Sequence, residues 1–152
     1  MNNSNEYLSK LKLSTITHNQ IFKALSSRSK KCKNEYFTSY SYSLYSIKKI
    51  VKIKSSFIEK YNHNNIYFAI KATKKNFKKA VDRNFAKRRT RAILRFFLQI
   101  IQEKKQEDLD FQNMKFNNFM VIVPHPICIN EKFEITKKNL IELLHKSYNY
   151  HN

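Results

Sequence analysis

The sequence predicts a single α+β domain spanning residues 1–152, because short strand-like segments flank one long amphipathic segment in a chain of single-domain length. The chain has 152 residues, of which 41% are apolar, and its 12 Phe and 9 Tyr can supply a core. Alternation of period two indicates strands, whereas apolar spacings of three and four indicate helices. The predicted order is α-β-β-β-α-β-α, a small sheet covered by helices.

The first half of the chain contains the less regular elements. Residues 1–15 are polar, and we predict that they are disordered. The segment 17–25 (THNQIFKAL) has the apolar spacing of a short helix. Alternating, Tyr-rich residues predict a strand over 34–45, and NIYFAIKAT predicts another over 65–73. The basic stretch 46–64 between them is interpreted as an insertion, part of which could form a further strand.

The second half contains the elements with the strongest periodicity. Helical spacing runs from about residue 80 to residue 102. The apolar run 119–123 (FMVIV), closed by a Pro-His-Pro turn, is typical of a buried central strand. Thr136 is predicted to cap a last helix. Its inward face would carry Leu140, Leu143 and Leu144.

The charge of the chain points to a polyanionic partner. The formal net charge is +19 and the isoelectric point is near 10.0. A drift of composition toward lysine would raise both values without function, but it would not concentrate arginine. Five of the six arginines lie within residues 83–95, and residues 71–95 hold eleven basic residues against one acid, which is +10 of the total. This cluster is the main functional signal.

Other features limit where the chain acts. Cys32 and Cys128 lie far apart without a partner motif, so we predict two free thiols in a reducing compartment. No run of about 20 apolar residues is present that would span a membrane. The first residues lack the apolar core of a signal peptide. A cytoplasmic location is therefore expected.

A helical projection of residues 83–101 separates two faces. The cationic face covers about 140°, and it carries Arg83, Asn84, Lys87, Arg88, Arg91 and Arg95. The opposite arc is apolar and carries Phe85, Ala92, Ile93, Phe96, Phe97 and Ile100. Leu94 and Arg89 depart from this pattern, and Arg89 is predicted to extend from the apolar arc to its rim.

The cationic face predicts nucleic-acid binding. An ordinary solvated face would mix signs, because like charges four residues apart repel by a few tenths of a kcal/mol. Phosphates would neutralise this repulsion, and the planar guanidinium group suits bidentate phosphate contacts and base stacking. A helix lying on a membrane surface is the less favoured alternative, since the apolar arc is needed to cover the sheet.

A motif within this segment resembles the signature of the bacterial ribonuclease P protein family. That signature runs from a strand ending in Val-Ser-Lys-Lys into Ala-Val-x-Arg-Asn-x-x-Lys-Arg-x-x-Arg. The strand end here is Ala72-Thr73-Lys74-Lys75, and every defined position of the second part is matched by Ala80, Val81, Arg83, Asn84, Lys87, Arg88 and Arg91. Arg95 falls where the family often has another arginine. The resemblance covers about residues 15–148.

The resemblance implies a role and two RNA partners. It implies the fold of the second domain of ribosomal protein S5, with a left-handed βαβ crossover against the usual rule. The cationic helix, with Lys74 and Lys75, would face the catalytic RNA subunit of ribonuclease P. A cleft lined by Phe22, Thr38 and Tyr40 would bind the 5′ leader of precursor tRNA by stacking.

The resemblance also implies how the chemistry is divided and where this chain departs from the family. The RNA would cleave the phosphodiester with Mg²⁺ bound through the RNA and the substrate, and no cofactor is expected on a protein motif. Family glycines are replaced by Ser27 and Lys78, and a second cleft aromatic is replaced by Ser26.

Three alternatives to this role are kept. The chain could be a non-catalytic ribosomal or architectural RNA-binding protein, which would bind RNA without affecting precursor cleavage. A DNA-reading helix would need more base-reading side chains than Asn84 alone. A stand-alone protein nuclease is the least favoured alternative. The five histidines are scattered, and no metal-binding or catalytic spacing is seen.

Overall fold

The computed structural model describes residues 9–16, 29–43, 65–103 and 118–149. These residues form a mixed α+β domain with one five-stranded sheet and helices. The elements in chain order are β1 Lys12–Thr15, β2 Lys30–Lys33, β3 Phe37–Ser43, β4 Asn65–Ile70, α1 Ala80–Glu103, β5 Asn118–Pro124, α2 Ile127–Asn130 and α3 Phe133–Asn149. The predicted helix at 17–25 and the predicted insertion at 46–64 lie outside the described residues.

The sheet has the strand order β1-β4-β5-β3-β2. The strands β1, β4 and β5 run parallel, whereas β3 and β2 are antiparallel to their neighbours. Strand β5 is central, with Val121 paired to Ala69 on one side and to Tyr40 on the other. The prediction of a buried central strand over 119–123 is confirmed. The helix α1 connects the parallel neighbours β4 and β5, as a crossover requires.

The helix α1 matches the predicted segment in length, but its buried face is rotated from the predicted one. The buried positions are Ala86, Thr90, Ile93, Leu94, Phe97 and Ile101. Leu94, which the projection treated as an exception, is 3% exposed, whereas Phe85 and Phe96 are 40% and 41% exposed. The buried face is not evident from the apolar pattern because it includes the small Ala86 and the polar Thr90. Thr90 can be buried because its hydroxyl donates to the Ala86 carbonyl at 2.7 Å.

The helix α3 covers the sheet and contacts α1. Leu140, Leu143 and Leu144 are buried, as predicted. The predicted cap at Thr136 is wrong, since α3 begins at Phe133. The Thr136 hydroxyl lies within hydrogen-bonding distance of the carbonyls of Lys132 and Cys128 instead. Tyr148 stacks on Phe97 of α1 at 6.0 Å between ring centroids.

Both edge strands were absent from the sequence prediction. Residues 12–15, expected to be disordered, form β1 alongside β4, and Leu11 just before it is fully buried. The backbone N–H of Ile16 donates to the Phe68 carbonyl at 2.8 Å. Strand β2, with the sequence KKCK, forms the opposite edge. An edge strand needs few apolar side chains and often carries lysines that discourage pairing with other chains, so neither segment shows a clear strand pattern.

Both cysteines are free thiols, as predicted, but their environments differ. Cys128 is completely buried on α2, and burial raises the pKa of its thiol to about 12, with the nearby Arg89 guanidinium acting in the opposite direction. Cys32 lies half-buried on the edge strand β2.

We expect an aromatic disulfide reagent at pH 8 to modify Cys32 rapidly and Cys128 only after unfolding. The thiolate is the reacting species, and at this pH the Cys128 thiol is almost entirely protonated. Absorbance of the released thiol would count one fast equivalent in the native protein and two in denaturant. Two fast equivalents, or a fast equivalent that persists in Cys32→Ser, would contradict this environment for Cys128.

Candidate nucleic-acid interface

The turn between β4 and α1 is held on several sides. The N–H of Phe77 donates to the Thr73 carbonyl at 2.9 Å, and Phe77 itself is buried. The Asn76 side-chain amide donates to the Pro124 carbonyl at the end of β5, at 3.0 Å. Lys74 and Lys75 lie on this turn and are exposed. Their backbone is therefore fixed, and their ammonium groups extend from a constant place beside the start of α1.

Arg83 has a structural contact that the sequence did not reveal. Its Nη1 donates to the carbonyls of Phe77 and Lys78, at 2.9 and 3.0 Å, and its side chain is half-buried. The guanidinium group thus ties the first turns of α1 to the preceding turn. Five N–H donors belong to a guanidinium group, so these bonds do not use its full donor capacity. A contact of Arg83 with RNA remains a prediction.

The exposed cations of α1 form a continuous row. Arg88, Arg91 and Arg95 are exposed, as is Asn84, while Lys87 is half-buried. Positions three and four apart on a helix are neighbours, so the three arginines follow one another along the surface. Within residues 9–16, 29–43, 65–103 and 118–149, no carboxylate forms a salt bridge with any of them. This row, Arg88, Arg91 and Arg95, is called the arginine row below.

Arg89 points away from the arginine row. Its Nη1 donates to the carbonyls of Cys128 and Glu131, at 2.6 and 2.7 Å. The guanidinium carbon lies 5.5 Å from the ring centroid of Phe85 and 5.6 Å from that of Phe133. The prediction that Arg89 extends to the rim of the apolar arc is wrong, because the half-buried side chain ends on the backbone around α2. Arg89 therefore joins α1 to the segment that precedes α3.

The predicted leader-binding residues are only partly placed on an accessible surface. Phe22 lies outside the described residues. Thr38 is 4% exposed, and its hydroxyl shares a hydrogen bond of 2.8 Å with Nε2 of His125. Tyr40 is half-buried, with the Lys31 ammonium 5.9 Å from its ring centroid.

The polar alternation that includes Thr38 and Tyr40 is partly buried. Tyr36, at the start of the same alternation, is 8% exposed and belongs to the core. A hydroxyl can be buried when a partner satisfies it, and His125 is that partner for Thr38. The binding of a leader by Tyr40 remains a prediction.

An open groove of about 640 Å³ lies between β2 and α3, away from the predicted site residues. It is lined by Cys32, Lys33, Asn34, Asn139, Glu142, Leu143, His145 and Lys146. Its charged groups have both signs, so it lacks the uniform charge of the arginine row. In the part of the chain that the structure describes, His, Cys, Asp and Glu side chains form no group of three or more that could hold a metal ion. Nor is any helix there long and apolar enough to cross a membrane.

The fold and the arginine row define a class of protein: a single α+β domain that presents a helix of exposed cations, as nucleic-acid-binding proteins do. The family model described as Ribonuclease P matches residues 11–148. The chain belongs to the Ribonuclease P protein family. Membership of this family supports RNA binding and a function in tRNA processing.

Solved structures show the same fold. The ribonuclease P protein of Thermotoga maritima superposes with a TM-score of 0.57 at 18% identity, over 88% of this chain and 96% of that one. The Staphylococcus aureus ribonuclease P protein superposes with a TM-score of 0.54 at 15% identity, over 88% of this chain and 96% of that one. The predicted α+β class is thereby confirmed. Among curated proteins, none matches the sequence significantly.

Proposed function

We propose that this chain binds the catalytic RNA of ribonuclease P and promotes cleavage of precursor tRNA at its 5′ end, in the cytoplasm. The observation that carries the proposal is the arginine row. Arg88, Arg91 and Arg95 are exposed on a helix whose opposite side is fixed in the core, and no described carboxylate pairs with them. Mutual repulsion of these cations is relieved when phosphates lie against them.

In this proposal the protein binds RNA and holds its own cationic groups in position against the RNA. The helix α1 holds the backbone of its cations at a constant spacing, so that RNA binding has to order only the arginine side chains. Arg83 fixes the turn, which keeps Lys74 and Lys75 beside the same surface. Neutralising phosphates releases counterions and lowers the repulsion between the catalytic RNA and the substrate RNA.

Preference for the precursor would come from the leader, because mature tRNA lacks it. Tyr40, with Lys31 near its ring, combines a stacking surface with a cation, and Phe22 would complete this cleft. Thr38 is buried beside Tyr40 and would not contact the leader itself. Contacts that only the precursor can make raise its affinity relative to the product.

Mg²⁺ would be bound by the RNA and its substrate, where it would supply and orient the attacking hydroxide. The groups of the cationic face are mainly guanidinium and ammonium, which have no lone pair to offer a metal. The residues of this face therefore fit phosphate and do not fit a divalent cation. Their role is to lower the Mg²⁺ concentration that RNA folding and substrate binding require.

Reconstitution tests the proposal. The purified chain, the ribonuclease P RNA of the same organism and a 5′-labelled precursor tRNA are mixed at low Mg²⁺, and 5′ maturation is followed on a gel. We expect cleavage to be at least about tenfold faster than with RNA alone, because phosphate neutralisation replaces part of the Mg²⁺. RNA binding without stimulation would favour an architectural RNA-binding protein. Cleavage by the protein alone would place the chemistry on the protein.

A further inference from the structure

Phe85 is an exposed aromatic side chain at the border of the arginine row. It is 40% exposed although large apolar side chains are usually covered, and the helix buries a different face. Phe85 and Arg88 are three residues apart, so they are neighbours on the helix surface. The ring therefore borders the surface to which the proposed RNA would bind.

One face of the Phe85 ring is supported from the protein side. The Arg89 guanidinium is 5.5 Å from the ring centroid, and its two hydrogen bonds to the carbonyls of Cys128 and Glu131 fix it in place. Within the described residues, this is the one ring or cation contact of Phe85. The ring thus has a fixed cation against it on the protein side, while 40% of the residue stays exposed to solvent.

Phe96 provides an internal comparison on the same helix. It is similarly exposed, at 41%, but it already has two partners. The Lys137 ammonium lies 4.7 Å from its ring centroid, and the Phe133 ring lies 6.1 Å away at an interplanar angle of 56°. Contacts between α1 and α3 explain why an aromatic residue stands at position 96. Phe85 has no such contact with a ring or a lysine of α3 among the described residues.

The surroundings of Phe85 favour a nucleic-acid base over a protein surface. Arg88 is exposed and Arg89 lies against the ring, so the patch is apolar and cationic together. This combination occurs in sites for unpaired nucleotides, in which a ring stacks on the base and cations bind the flanking phosphates.

We propose that Phe85 is a stacking site for an unpaired base of the RNA partner, with Arg88 on the adjacent phosphate and Arg89 as the support behind the ring. The inference rests on the proposed RNA-binding function of α1 and deepens it, since it names a single-stranded or bulged nucleotide as part of what the helix binds. A ring adds affinity to any base, so it would contribute little sequence preference.

The test compares Phe85→Leu with Phe96→Leu, because leucine keeps most of the apolar area and removes the aromatic face. We expect Phe85→Leu to weaken binding of the ribonuclease P RNA by about tenfold, from the usual value of one base–aromatic stack. Phe96→Leu should change it less than about twofold. The dependence of binding on salt should stay the same in both variants, because no phosphate contact is lost.

Two further measurements separate stacking from apolar docking. Val81→Ala truncates the most exposed large apolar side chain of α1, at 72%, and should leave RNA affinity unchanged, since a valine offers no stacking face. The chain has no Trp. Phe85→Trp therefore gives one indole fluorophore, which should retain affinity and be quenched by the RNA subunit but not by a fully paired RNA duplex.

The outcomes distinguish this inference from the function on which it rests. If Phe85→Leu binds RNA as tightly as the parent while arginine-row variants bind weakly, the stacking site is refuted and RNA binding by α1 stands. Equal losses from Val81→Ala and Phe85→Leu would indicate apolar docking and refute stacking. If neither the parent nor any variant binds RNA, the proposed function fails first. Thermal unfolding of each variant checks that the fold is intact.

Discussion

Replacing Arg88, Arg91 and Arg95 together by glutamate is expected to weaken RNA binding by at least about 100-fold at 0.1 M salt. Each phosphate contact contributes about 0.7–0.9 to the slope of log affinity against log salt, so three lost contacts lower that slope by about 2–2.7. The three side chains are exposed and without described carboxylate partners, so the change should not unfold the protein. Filter binding across a salt series measures both quantities.

A matched control separates this surface from the total charge. Lys132, Lys138 and Lys146 are exposed on or next to α3, and replacing them by glutamate changes the net charge by the same amount. We expect this control to keep most of the affinity and nearly the full salt slope. Equal losses in the two triple variants would show that RNA responds to overall charge, and the arginine row would then not be the interface.

Replacing Arg89 by leucine is expected to lower the free energy of unfolding by about 2–4 kcal/mol. The substitution removes two short hydrogen bonds from a charged donor and leaves the carbonyls of Cys128 and Glu131 without it, in a half-buried position. It also removes the cation that lies between Phe85 and Phe133. Urea unfolding followed by circular dichroism would show the midpoint moving to lower concentration.

The adjacent arginine is the control for this prediction. Arg88→Leu should change stability by no more than about 0.5 kcal/mol, since Arg88 is exposed, while it weakens RNA binding. Arg88 and Arg89 would thus separate binding from stability in neighbouring positions. A stable Arg89→Leu variant, or an unstable Arg88→Leu variant, would contradict the side-chain positions described above.

The sequence predicted the elements whose pattern is strong. The helix α1, the central strand β5 and the inward leucines of α3 all have long or uniform apolar patterns, and each is found where it was expected. The edge strands were missed because β1 and β2 carry few apolar side chains and depend on pairing with distant strands. Propensity and periodicity contain no information on such partners.

The sequence predicted which face of α1 is cationic. It did not predict which arginines of the segment are exposed and which make structural hydrogen bonds. Arg83, Arg88 and Arg89 are one residue type in one helix, and the sequence alone treats them alike except for their angle. Their roles separate through contacts that the pattern does not show: Arg83 bonds to the preceding turn, Arg89 bonds to the distant Cys128 carbonyl, and Arg88 stays exposed. The burial of Thr38 has the same origin, since its partner His125 lies on a distant segment.

The position of β1 at the edge of the sheet has a consequence for how the protein is made. Lys12 pairs with Asn65, so β1 leaves the ribosome long before its neighbour β4 exists. Strand β4 in turn has its second neighbour in β5, which begins at residue 118. The parallel half of the sheet therefore cannot close until most of the chain has been translated, and such long-range pairing is slow. The nascent polypeptide has to keep Leu11 and Ile16 away from other molecules during that interval.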